Sequence, residues 1–567
     1  VFLFSFGIKI REKISATLML AIIAVSCNIN KLNFIWHGCH FTNQIPYRFA
    51  FIFSFVLAAA AFRAYDVILS KGIKIYQLVL MLIAPSTVFV LNKVTEGVDY
   101  KFDGAVKSSA IITGAFWLIF VAAKVFPFRK RKTQNQLLTL ALSAAMLSEF
   151  VSNAQLGVKT VDTTGYNDYP ANYQEVEELL DYEKKNDDSL FYRTEMTQTY
   201  TLNDSALYGY RGLSQFSSSA NVAVTTMCRR LGLYASEAGN RYYYRTATPV
   251  VNSLLGIKYI VKKGGELNSE DWVLEEIGKS GDSTLYKNKY PLSLGFMVSE
   301  KALELGNGDS ANPFEYQNCL MRCLTGTEGE YFKAQPVALA EYDGLEVSKN
   351  SYGNFTFRNE TDEPTGSATY SFDCHDGSYI YGYANGSGGT CDSLEIKCED
   401  KLIDSGKLIE SYPIVFPMGN GQTGDTSTVK ITSNEKNKSG NFKLMVYSIN
   451  KRKFERFYNA LADEQLEITS FADTKIEGSI NAKEDGILFL SIPYEKGWRV
   501  YIDGKKADTF KVVGAMLGVR ADAGEHDIRI EYTPEGFTLG AVISFLSALF
   551  IMLIALAEHQ RRKSRRN

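Results

Sequence analysis

The sequence has no surplus of either charge: its 567 residues hold 61 Lys and Arg against 63 Asp and Glu, a formal net charge of −2. A nucleic-acid binder needs spare cations to replace the counterions of the phosphate backbone, so that class is excluded and no nucleic-acid partner is expected. Cysteine is scarce as well. Eight scattered thiols cannot frame a disulfide-built fold of this length. Cys319 and Cys323 share a helical spacing, but one CxxxC pair without a second falls short of a zinc site. Collagen-like and disordered chains are excluded by composition. No Walker or dinucleotide glycine pattern occurs, since the glycines of NGSGG and NGQTG lie between strand-like runs. Between residues 152 and 536 the histidines are His375 and His526, neither beside a nucleophile, which leaves a Ser-His-Asp hydrolase unsupported. No cofactor is expected, and a divalent cation stays open.

What the chain does have is apolar sequence crowded into its two ends. Windows of spanning length fall near 14–30, 48–66, 75–91, 107–126 and 134–151, with a sixth at 537–557. The opening run VFLFSFGI is too short to cross a bilayer and has no signal-peptide pattern, so a preceding N-terminal portion is expected. Counting crossings puts Lys9, Arg11, Lys13, Lys71, Lys74, Arg129 to Lys132, Arg561 to Lys563, Arg565 and Arg566 on one side. These 14 basic residues face only Glu12, Asp66 and Glu558, a local net charge of +11 that leaves −13 for the rest. By the positive-inside rule that side is the cytoplasm. The expected fold class is therefore a polytopic α-helical membrane region plus a large extracytoplasmic α/β and β-sandwich region, closed by a C-terminal transmembrane helix and a basic cytoplasmic tail at 558–567.

The outward block, 152–536, divides by pattern. Residues 152–339 mix an amphipathic helix near 170–190 with short strands and further helices, which predicts an α/β subdomain. From 340 onward period-two runs dominate, among them NFTFRN, TVKITS and ILFLSIPY, with Asp503-Gly504 as the turn of a hairpin. That predicts a β-sandwich over 340–450 and a second β subdomain over 451–536. KRKFERFYNALADEQ between them is helix-like by its Phe454, Phe457, Leu461 spacing.

The most unusual polar segment is the first outward loop, NFIWHGCHFTNQIPYRF, which sets His37, His40, Asn43, Tyr47 and Arg48 at the membrane surface. An arginine at the mouth of a span is either a snorkelling anchor or a ligand for phosphate, and His and Asn beside it add hydrogen-bonding groups. Glu149, at the outer end of the fifth window, is the one base candidate; a hydrated interfacial carboxylate is the plainer reading. Arg63 and Asp66 read as a hydrated pair. Arg193, Tyr208, Tyr210, Arg211, Ser217, Ser218 and Asn221 have the flat rings and donors of a sugar site, and equally the make-up of ordinary turns. Trp498, with Gly497 and Asp503, reads as a turn and core aromatic.

The motifs IWHGCHFTNQIPYRFAFIFSF, FYRTEM, SALYGYRGLSQFSS, TPVVNSLLGIKYIV, NPFEYQNCLMRCLTG and IPYEKGWRVYIDGKKA, in this order, resemble the bacterial YfhO family of polytopic membrane proteins over nearly the whole chain. Cys39 and Thr42 depart from the Phe and Pro expected of the family pattern. The resemblance implies a glycosyltransferase of the multi-spanning C-type superfamily in the bacterial cell membrane. Such enzymes take a sugar from a polyprenyl-phosphate carrier at the outer face and add it to a surface polymer such as lipoteichoic acid. The implied partners are membrane lipid, the lipid-linked donor and the polymer acceptor. It implies His37, His40, Asn43, Tyr47 and Arg48 as substrate residues, with Arg193 and Arg211 as further members, and leaves the catalytic base unassigned apart from Glu149. The competing expectation is a non-catalytic, membrane-anchored protein that binds a surface glycan or a partner.

Overall fold

The computed structural model describes the chain apart from residues 43–44, 95–102, 162–164, 166–171, 237–238, 265–266, 268–271, 306–311, 338, 361–364, 376, 388–390, 399–400, 408–413, 420–422, 434–438 and 565–567. Asn43, Arg565, Arg566 and much of the NGSGG and NGQTG loops lie outside the described residues. The chain forms two compact units, Val1–Gly165 and Tyr166–Asn567.

The first unit is helical: α1 Ile10–Ser26, α2 Asn30–Trp36, α3 Phe51–Lys71, α4 Ile75–Val94, α5 Asp103–Val125 and α6 Arg131–Thr160. Of the six expected windows, Arg48–Lys71, Ser108–Val125, Arg131–Thr160 and Phe537–Ser564 are helices long and apolar enough to span. Their apolar residues are largely unburied, 0% of the window in Ser108–Val125 and Phe537–Ser564, which is stable only against hydrocarbon. Ile75–Thr87 is a shorter apolar stretch, and α4 carries Pro85 inside it. The window expected at 14–30 differs: α1 stops at Ser26 and α2 leaves at 109°. Polar side chains account for the break. Ser26 Oγ and Asn28 Nδ2 each donate to the carbonyl four residues back, and Trp36 Nε1 reaches back to donate to Ser26 Oγ at 3.0 Å.

Polar contacts, most of them half-buried, hold the helices in register where lipid supplies no hydrophobic drive. Arg63 on α3 bonds Glu12 on α1 at 2.8 Å and its own neighbour Asp66 at 2.7 Å. Trp117 Nε1 on α5 donates to Leu78 O on α4, and Asn135 Nδ2 on α6 donates to Leu69 O on α3, both at 3.0 Å.

In the second unit, the amphipathic helix Tyr173–Asn186 buries Val176, Leu179 and Leu180. Beside it lies a sheet ordered Arg193–Met196, Ile257–Lys262, Ser283–Asn288, Leu274–Ser280, whose first pair is parallel and the rest antiparallel. A β-sandwich follows. One sheet runs Leu339–Asp343, Ser367–Asp373, Thr426–Ser433, Cys391–Cys398, Lys401–Lys407, and the other Leu345–Ser351, Asn354–Asn359, Ser439–Asn450, Ser378–Ser387, Ile414–Gly419. Strand Ser439–Asn450 is buried on both faces: Phe442, Leu444 and Val446 face the sandwich core, while Met445, Tyr447 and Ile449 join the α/β core. That double burial explains its nearly unbroken apolar run.

The second sandwich pairs a sheet of Glu467–Ala472, Lys475–Ala482, Gly524–Tyr532, Trp498–Ile502 and Lys505–Ala507 with one of Thr509–Val512, Met516–Ala521, Gly486–Pro493 and Gly295–Val298. The last strand comes from the stretch read as α/β. Asp503 and Gly504, at φ 52° and 77°, make the expected two-residue hairpin turn. Trp498 is half-buried at the edge of this sandwich's core, against which it packs, its ring 4.6 Å from that of Tyr532.

Candidate functional site

The loop between α2 and α3 is pinned by aromatic rings. Phe49 is buried and lies against Trp36, centroids 5.1 Å apart and nearly parallel, with the His37 ring edge-on at 5.8 Å. Phe34 packs on Phe41 at 4.7 Å. These contacts hold a backbone that L-residues disfavour: Cys39, Ile45 and Tyr47 all adopt left-handed φ of 49° to 62°. Each such residue costs roughly 1–2 kcal/mol, strain that packing elsewhere must offset.

The polar groups sit around this aromatic knot. His37 Nδ1 donates to Asn33 O at 2.7 Å, which orients the ring. That Nε2 is buried with no partner among the described residues, and so is Asn33 Oδ1 one helical turn before it. Two buried polar atoms without a partner call for a hydrogen-bonding group such as a hydroxyl, which can donate or accept. Asn33 was missed in the sequence; its i, i+4 relation to His37 was the available signal. Exposed Arg48 donates from Nε to Ile45 O at 3.3 Å, in a turn, Arg48–Ala50, that leads into α3. No side chain caps the first N–H groups of α3, and a cation there gains nothing from the helix dipole. His40 and Tyr47 are exposed on the same loop.

Glu149 does not lie at a helix end. α6 continues to Thr160, because SNAQLGVKT contains nothing that stops a helix, and this leaves Glu149 half-buried some three turns before the terminus. Among the described residues no ion pair or hydrogen bond engages its carboxylate.

Arg193 and Arg211 flank one ring, with guanidinium carbons 5.0 Å and 5.8 Å from the centroid of Phe191. Arg193 is a strut: Nη1 donates to Leu255 O at 2.6 Å and Ser491 Oγ at 3.0 Å, and Nη2 to Ser491 O at 2.7 Å. Burial pulls its pKa down to about 10, still a cation at neutral pH. Arg211 is exposed and lies over Phe471 at 4.5 Å. Tyr208 and Tyr210 are buried in the core under the helix Tyr173–Asn186, while Asn221 caps the helix Val222–Arg230, so the tyrosines and Asn221 serve separate elements. Cys319 and Cys323 are free thiols with Sγ atoms 4.0 Å apart, and no cluster of three metal-ligating side chains occurs among the described residues.

Residues 1–544 match the model of the bacterial membrane protein YfhO family. The uncharacterized protein YfhO of Bacillus subtilis (strain 168) is 28% identical over 127 residues, 22% of this chain and 14% of that protein. The matched part thus spans about one seventh of this curated relative. Among solved structures, the C-terminal CBM6 of LamC from Zobellia galactanivorans is 10% identical over 21% of this chain and 99% of its own, with a TM-score of 0.16. The arabinofuranosyltransferase AftD from Mycobacteria is 11% identical over 30% of this chain and 14% of its own, with a TM-score of 0.15. A family match over 544 of 567 residues, together with spanning helices at both ends of a β-rich unit, identifies the chain as a member of the bacterial YfhO membrane protein family.

Proposed function

We propose that the chain works in a membrane glycosyltransferase that moves a sugar from a polyprenyl-phosphate carrier to a surface polymer, lipoteichoic acid or a related glycan, at the outer face. The observation that carries the reading is the strained loop before α3. It joins an exposed cation, Arg48, at a helix start without a side-chain cap, to two buried polar atoms, His37 Nε2 and Asn33 Oδ1, that have no partner among the described residues, and these would suit a phosphate and the hydroxyls of a sugar. His40, Asn43 and Tyr47 are further substrate contacts of this loop, and Arg211, in the second unit, is a separate candidate. In the transfer, an acceptor hydroxyl attacks the anomeric carbon, the C–O bond to phosphate breaks, and the leaving phosphate takes up the electron pair. Cations beside that phosphate stabilise the charge it gains. A carboxylate takes the hydroxyl proton, and Glu149 is the one proposed for trial here.

The test is the sugar-to-phosphate ratio of teichoic acids from cells with the full-length gene deleted, restored, or restored as Arg48→Ala. Loss of sugar on deletion, with rescue only by the unmutated gene at equal membrane levels, supports the reading. Normal sugar content in the Arg48→Ala strain would overturn the phosphate role, and an unchanged ratio in all strains would remove teichoic acid as acceptor.

A further inference from the structure

The second sandwich meets its membrane helix at a polar cleft of about 440 Å³. Thr533 and Glu535 form one wall, and Phe537, the first residue of the apolar helix Phe537–Ser564, follows two positions later. Two residues span at most about 7 Å, so the cleft opens at the depth where that helix enters hydrocarbon.

The cleft is built into the fold rather than formed by loose side chains. Thr533 N donates to Gly497 O at 3.0 Å, and a Cβ on Gly497 would lie 2.5 Å from Thr533 O, so only glycine lets the two segments close. Arg499 Nη2 donates to Thr533 Oγ1 at 2.7 Å, which fixes the guanidinium, while its Nε is buried without a partner among the described residues. Lys496 and Lys506 are exposed along the rim, and Lys496 reaches Glu535 only at 3.7 Å. Asp508 and Glu535 supply acceptors beside these cations, and Trp498 and Tyr494 present rings of the type that settle at the membrane interface.

We propose that this cleft seats the headgroup of a membrane phospholipid, its phosphate held by Arg499, Lys496 and Lys506 and the hydroxyls or amine of its substituent by Asp508 and Glu535. Cations alone would suit any anion. The mixed lining at interface depth selects a phosphodiester that also carries hydrogen-bond donors. The inference uses none of the residues of the loop before α3, so either reading can fail without the other.

The experiment uses full-length protein in detergent micelles, with retained phosphatidylglycerol counted by native mass spectrometry. Wild type is expected to hold one molecule that the double variant K496E/K506E holds about tenfold or more weakly, at an unchanged melting temperature. Equal retention by both overturns the proposal. Should the double variant fold poorly, Lys506→Gln, a single change at an exposed position, is read in the same way. The soluble probe sn-glycerol 1-phosphate separates the sources: displacement of bound lipid by it supports a phosphate seat. Its binding by protein that retains no lipid assigns the site to a free phosphate ester and overturns the lipid assignment.

Discussion

Single side chains show how this protein keeps carboxylates away from water. Glu195 is fully buried, yet accepts from Leu213 N, from Ser214 N at 2.9 Å and from Ser214 Oγ at 2.8 Å. Buried Asp204 accepts from Tyr200 N and Thr201 N and pairs with Lys263 at 3.1 Å. Glu183 is less well served, with only the Thr194 hydroxyl against its two oxygens at 2.9 Å and 3.0 Å. Burial therefore dominates and pushes its pKa up to about 8. A carboxyl raised on folding contributes stability that is full below its unfolded pKa of about 4.5 and is lost as the pH climbs to about 8. Glu183→Gln keeps an acceptor for Thr194 and removes the ionisation. Its melting temperature is expected to exceed that of wild type at pH 9 and to match it at pH 4; thermal unfolding of the full chain at the two values checks both the sign and the window.

Among the elements, the helix Lys451–Ala462 shows what periodicity can and cannot tell. Its Phe454, Phe457, Leu461 stripe was readable as a helix face, and all three residues are buried. What they are buried against was not readable. They close the α/β core, where Phe454 meets Trp272 at 5.4 Å and Tyr290 at 5.2 Å, contacts made across more than 160 positions of sequence. Phe454→Ala is expected to cost about 3–5 kcal/mol, because the rings around it cannot collapse into the space. A fall in the denaturation midpoint of that core with the α-helix content of the membrane unit retained would confirm it; a loss under about 1 kcal/mol would mean the site is plastic. The same limit applies to the candidate loop. Its residue types were visible, but the knot of Trp36, His37 and Phe49, the left-handed backbone at Ile45 and Tyr47, and the break after Ser26 depend on contacts that hydropathy windows average away.

For the molecule as a whole, the division into apolar helices toward both ends and a β-rich region between them was legible because burial in lipid and burial in a sandwich write different periods into the chain. Chain order was the misleading part. Gly295–Val298 lies far before the second sandwich in sequence but forms an edge of it, pairing Val298 with Ile487, Met297 with Leu488, Phe296 with Phe489 and Gly295 with Leu490. All four residues are buried, Leu466 N donates to Gly295 O at 2.8 Å, and Met297 N to Glu464 O at 2.9 Å. A fragment of residues 451–536 would leave the edge of Gly486–Pro493 bare, a row of unpaired backbone groups on an almost wholly buried strand. It would also lose the Phe296–Phe489 ring contact at 5.0 Å. That fragment is expected to aggregate or stay unfolded, while residues 166–536, which carry the missing strand, are expected to give a soluble product with one cooperative β-rich transition. Amide spectra of the two fragments decide the matter. Well-dispersed signals from 451–536 alone would show that the second sandwich is autonomous, and would reduce the early strand to an added edge that the fold can do without.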